Sequence, residues 1–170
     1  MRHLLSRMIM AVAPICAICG ASPACAATNV VQVQASVAKP LTLSWVQDLD
    51  LGSIVLGPGT WSNVTVGISR TGVFSCTSAN VTCSGSAQVA TYNVTGNNND
   101  VVRITVPNVT LVNQDDPTKT LTLAVDSPAS LTLTNSGKPG QNFSIGGSIA
   151  LSSSTAGGTY AGTFNVTVDY

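Results

Sequence analysis

From Val31 to Tyr170 the chain alternates apolar and polar side chains, and a period of two becomes one buried face only in an extended strand. Val31, Val33, Ala35 and Val37 share one side of the first run, with Gln32, Gln34 and Ser36 on the other. Pro40 cannot donate to a ladder and marks an edge, bend or strand start, after which Leu41, Leu43 and Trp45 resume the phase. Further stripes follow in Val64/Val66/Ile68, Ala90/Tyr92/Val94, Val102/Ile104/Val106, Leu121/Leu123/Val125, Leu131/Leu133 and Phe143/Ile145/Ile149/Leu151, with Gly146-Gly147 as an expected bulge. The last run is Tyr160, Gly162, Phe164, Val166, Val168 and Tyr170. Gly57-Pro58-Gly59, residues 96–100, residues 114–117, residues 136–140 and Ala156-Gly157-Gly158 punctuate these runs as turns. No three-four apolar spacing persists for the length of an ordinary helix. The expected fold is all-β: an immunoglobulin-like two-sheet sandwich with Greek-key connections and no substantial helix in the mature chain.

The beginning of the chain reads differently. Arg2 and Arg7 precede an apolar stretch, Met8 to Ile18, and Ala24-Cys25-Ala26 has the small-x-small form that signal peptidases accept. Residues 1–26 are therefore expected to be a cleaved signal peptide, and residues 27–170 a single β-sandwich domain. The apolar stretch is shorter than the ~20 residues a membrane helix needs, and Pro14 and Pro23 interrupt it, so no membrane span is expected after cleavage. Export places the chain in the periplasm, on the cell surface or outside the cell. Of the five cysteines, only Cys76 and Cys83 follow the cleavage point. A lone pair in an oxidising compartment reads most simply as a disulfide stapling a hairpin, with free thiols as the alternative.

Composition narrows the chemistry. Removing Arg2 and Arg7 from the seven basic residues leaves five against seven acidic ones, a net of −2 without a cluster of either sign. Nucleic acid and anionic membranes both need concentrated Lys and Arg, so neither is expected as a partner. Every acid is Asp, and the single His, His3, leaves with the signal. Ser–His–Asp and Cys–His catalysis and the common zinc sites then lack their residues, and the chain is expected not to be an enzyme and to carry no cofactor. Asp48 and Asp50 could form a glycosidase-like carboxylate pair, but two acids two residues apart before Gly52 read better as turn formers. The oxygen-rich runs Asn97–Asp100 and Asp115-Asp116 lack calcium-loop spacing and read as solvated turns.

The ends of the mature chain carry the functional signal. Proteins usually blunt long edge strands with charge or proline, yet Val30 to Val37 is neutral and Tyr160 to Tyr170 carries only Asp169. Each end either pairs inside its own domain or is available to a second molecule, as strand addition requires.

Lys39-Pro40-Leu41-Thr42-Leu43, Gln47-Asp48-Leu49-Asp50-Leu51-Gly52-Ser53-Ile54-Val55 and the ending Gly158-Thr159-Tyr160-Ala161-Gly162-Thr163-Phe164-Asn165-Val166-Thr167-Val168-Asp169-Tyr170 resemble a family of exported bacterial all-β domains to which no activity is assigned. That family usually has Phe where this chain has Leu51. A more distant resemblance is to spore coat protein U-like secreted pilins and chaperone–usher pilus subunits, which carry a glycine before a last alternating strand and a penultimate Tyr. Gly157 stands in the glycine's place, whereas Tyr170 is final, and the Cys76/Cys83 pair differs from the usual pilin disulfide in the first strand.

This resemblance implies a pilin-like subunit of a surface fibre or coat. Val31, Val33, Ala35 and Val37 would be donor side chains within residues 27–38, and Gly157, Tyr160, Phe164, Val166, Val168 and Tyr170 the assembly strand. The implied partners are further copies or a related subunit, with a periplasmic chaperone during assembly. The other reading is a monomeric secreted module for carbohydrate or a protein ligand. In it Trp61, which follows Gly57-Pro58-Gly59-Thr60, is the stacking platform, while Trp45 shares the apolar phase and is expected in the core.

Overall fold

In the strand Val64–Ile68, the side chains of Val64, Val66 and Ile68 are buried while Thr65 faces solvent, the alternation that a sheet with one covered face demands. The same logic repeats along the chain. The computed structural model describes residues 30–135 and 137–170, and Ser36–Tyr170 forms one compact unit. The expected signal peptide and cleavage site lie outside the described residues.

Among the described residues the strands are β1 (Thr42–Gln47), β2 (Ser53–Leu56), β3 (Val64–Ile68), β4 (Phe74–Ser75), β5 (Val81–Ser84), β6 (Ala90–Thr95), β7 (Val101–Thr105), β8 (Val109–Asn113), β9 (Thr120–Asp126), β10 (Ser130–Thr132), β11 (Gln141–Leu151), β12 (Tyr160–Ala161) and β13 (Thr167–Asp169). There is no helix among them, and every pairing is antiparallel. The fold is an all-β sandwich.

β11 runs through both halves of the large sheet. Gln141–Ile145 pair with β6, which pairs in turn with β1; from Gly147 onward β11 lies between β3 and β9, and β8 and β12 continue that side. The handover falls on the Gly146-Gly147 pair where a bulge is expected. A Cβ on Gly146 would collide with the Ile68 carbonyl, so the close crossing of β3 needs the absent side chain.

The second layer is built in two pieces. The sheet β10-β7-β13 covers one half, enclosing Val94, Val102, Leu133 and Ile145, none more than 1% exposed. The pair β2-β5 covers the other half, over Val64, Val66, Val109, Leu123, Ile149 and Leu151. Cys76 and Cys83 stand at disulfide distance with Cα atoms 6.3 Å apart. Their partners differ from those of a stapled hairpin: β4 pairs with β3 and β5 with β2, so the bridge ties the large sheet to the small one.

Three expectations are corrected. Residues 30–41 hold no strand, and Val30, Val31, Val33 and Val37 are between 76% and 88% exposed. The last run is split into β12, which pairs with β8, and β13, which pairs with β7, with residues 162–166 unladdered between them. Trp45 is 62% exposed on β1, the edge strand of the large sheet.

Candidate functional site

The two-piece layer leaves an opening. β2 pairs on one side only, with β5, and residues 162–166 enter no ladder, so two lengths of backbone face each other without a strand between them. Below lies an apolar floor: half-buried Leu111 and Leu121 with buried Leu123, Ile149 and Leu151. The resulting cleft measures about 740 Å³, walled by residues 48–54 on one side and 155–164 on the other.

Local chemistry fixes each wall. Asp50 accepts a hydrogen bond from Gly52 N at 2.8 Å, and its backbone bridges Gln88, which turns the chain from β1 into β2. Leu49, Leu51, Ile54 and Leu56 then point toward the core as half-buried residues. On the other wall, buried Asn113 donates to the Gly157 carbonyl at 2.9 Å while its Oδ1 accepts from Asp115 N and Asp116 N. Gly158 sits directly on that amide with φ +133°, and a Cβ there would come within 2.6 Å of both polar atoms of Asn113. Asp116 holds the same loop by accepting from the Thr118 hydroxyl at 2.7 Å and from its backbone N at 3.0 Å. These bonds pull its carboxyl below the ordinary value. The oxygen-rich run is thus a braced turn.

The residues expected in an assembly strand divide between several tasks. Gly157 is exposed at the head of the wall. Tyr160 donates to the Ala156 carbonyl at 2.9 Å, and Phe164 turns inward to pack against both core clusters. Val166 and Val168 pack on the closed half. The Tyr170 hydroxyl donates to the Lys39 carbonyl and accepts from Asn97 N, each at 3.1 Å, while Lys39 N donates to Asn97 Oδ1 at 2.7 Å. This latch holds Lys39 against Asn97 and the C-terminal Tyr170. Val31, Val33, Ala35 and Val37 lie upstream of it, all exposed and outside any ladder.

The tryptophans exchange the surroundings expected of them. Trp61 is half-buried against the core of the open half, with its indole N–H donating to the Gly57 carbonyl at 3.2 Å. Trp45 projects at the sheet edge, its N–H donating to Asp48 at 2.9 Å. In register beside it, Tyr92 stacks on Phe143 with ring centroids 5.8 Å apart and planes 20° from parallel. Burial and, to a lesser degree, the Asp48 charge raise the Tyr92 phenol above its ordinary value. Sequence phase alone could not find Trp45 as a surface residue, since it alternates correctly with Leu43.

Among the described residues no helix is long and apolar enough to cross a membrane. No curated protein and no solved structure matches the chain. One family model does match, over residues 41–170: Domain of unknown function (DUF4402).

Proposed function

Starting from a chain that belongs to the DUF4402 family, we propose a non-enzymatic, exported structural subunit that builds a cell-surface fibre or coat by strand exchange. The alternating segment 30–37 of one copy fills the gap between β2 and residues 162–166 of another. The observation that carries this reading is the cleft itself: an apolar floor lies between β2, which pairs on one side only, and residues 162–166, which enter no ladder. Unpaired strand edges over uncovered apolar surface are a liability in a monomer and a template for an incoming strand.

The segment fits in kind. It is uncharged, and at ~3.3 Å per residue its eight residues reach about 26 Å as a strand. Val31, Val33, Ala35 and Val37 fall on one face, matched to the leucine-rich floor, and Gln32, Gln34 and Ser36 on the solvent face. The Cys76–Cys83 pair suits an oxidising compartment, and the signal-like residues 1–26 supply the route there. A periplasmic chaperone would cover the gap until the next copy arrives.

Size-exclusion chromatography with light scattering on residues 27–170, beside a form lacking 27–38, tests it. Large oligomers from the first and a monomer from the second are expected, with the truncated form capturing a peptide of residues 27–38. A stable monomer that unfolds on truncation would overturn strand exchange, because the segment would then serve its own domain.

A further inference from the structure

The exposed indole of Trp45 is held differently from an adventitious surface tryptophan. Its N–H is engaged by Asp48 Oδ1 at 2.9 Å, which fixes the ring plane at the open edge of β1. Tyr92 lies in register beside it and is itself held by stacking on Phe143. The Tyr92 hydroxyl has no hydrogen-bond partner among the described residues, and Asp48 and Tyr92 both line the end of the cleft. Three chemically distinct groups thus meet at one place: a fixed aromatic face, a carboxylate acceptor and a phenol able to donate or accept.

We infer that Trp45, Asp48 and Tyr92 form a binding site for an uncharged pyranose sugar. A pyranose ring has an apolar C–H face, which suits the electron-rich face of an indole, and a rim of hydroxyls that needs acceptors and donors beside it. Trp45 supplies the first, Asp48 and Tyr92 the second. The exposed carboxylates of Asp48 and Asp50 give the site a negative field that repels uronic and sialic acids. A protein partner fits poorly, because the exposed apolar surface here is Trp45 and its neighbour Val46 at the register shift of β1, far short of the roughly 800 Å² that a stable protein interface takes from each side.

Trp45 lies outside the cleft lining while Asp48 and Tyr92 belong to it, so this site shares part of the cleft with strand exchange. The two are separated by their readouts: oligomer size for strand exchange, sugar titration for this one. The test is titration of the purified full chain with cellohexaose, xylohexaose and chitohexaose. Tryptophan fluorescence and calorimetry report binding, with hexagalacturonate as the anionic control and choline as the cationic one. Binding of at least one neutral hexasaccharide is expected, together with its loss in Trp45→Ala, a roughly tenfold weakening in Asp48→Asn and a smaller loss in Tyr92→Phe. Trp61→Phe should bind as the parent does, and an unchanged melting temperature in Trp45→Ala would show that the loss is local. Failure of all three neutral sugars, undiminished binding in Trp45→Ala, or a response to choline or hexagalacturonate instead would overturn the assignment.

Discussion

The two halves of the sandwich share one central strand and differ in how completely they are closed. Around Gln141–Ile145 of β11, the sheet β10-β7-β13 supplies a full second layer, and Val94, Val102 and Ile145 reach 0% exposure. Around Gly147–Leu151, the opposite layer is β2-β5 alone, and Leu111 and Leu121 remain partly exposed beside residues 162–166. Fully buried apolar side chains contribute their whole burial to the stability of the domain, whereas those left partly exposed beside a cleft contribute less and are the ones that the proposed strand exchange would cover.

That difference is sharpest in large-to-small substitutions. Phe143→Ala, in the closed half, should lower unfolding free energy by about 3–5 kcal/mol, through lost burial and the cavity left behind. Leu121→Ala, on the cleft floor, should cost less, about 2 kcal/mol, since part of its surface is already wet, yet it should weaken oligomer formation. Urea denaturation beside light scattering separates the two effects. Equal stability losses, or assembly unaffected by Leu121→Ala, would erase the distinction between the halves.

The next largest effect concerns what keeps the open half from falling apart. With one layer reduced to two strands, the Cys76–Cys83 bridge is the covalent tie between that pair and the large sheet. Replacing both cysteines by Ser should cost about 2.5 kcal/mol on a chain-entropy estimate for so short a loop. The loss should appear as earlier hydrogen exchange in β2 and β5, with β6 and β7 protected until global unfolding. Uniform loss of protection would show that the halves unfold as one.

Gly158→Ala probes the far wall. The new methyl must displace Asn113, which is 1% exposed and braces Gly157, Asp115 and Asp116 through its side chain. With a positive φ to be relieved as well, about 2 kcal/mol of stability should be lost. Capture of the 27–38 peptide should fall further than stability alone explains. The acidic limb of the same loop is pH-sensitive. Asp116 has a lowered carboxyl in the folded state, so its contribution is present above pH 3.8 and fades as the pH drops through the lower folded value.

Much of this architecture was written in period-two stripes. Val64/Val66/Ile68, Ala90/Val94, Val102/Ile104 and Phe143/Ile145 are buried as their phase requires, because a one-sided sheet leaves that signature residue by residue. The gap was not legible. Phe164, Val166 and Val168 alternate as smoothly as any strand, yet the chain leaves β8 and joins β7 between them, and a local period says nothing about which partner lies alongside. Trp45 was misplaced for the same reason: its phase is that of the core, but edge position depends on the order of strands. The donor-like segment stood out through its lack of charge, a property of composition, whereas the cleft is a property of topology alone.

The smallest expected effect lies at the boundary between the halves, on Tyr92. Its ring belongs to the closed half through the Phe143 stack, and the residue lines the cleft together with Asp48. Burial is the larger cause of its raised phenol and the Asp48 charge the smaller, so the two halves contribute separately to one titration. An ultraviolet titration should place Tyr92 above the ordinary 10.0, and Asp48→Asn should move it part of the way back. Because the folded state favours the neutral phenol, the stability it contributes is intact below pH 10.0 and is lost as pH rises through the folded value. If Asp48→Asn restored the ordinary value completely, the ring would be wetter than its stacking implies. The boundary between closed and open halves would then run on the Phe143 side of Tyr92.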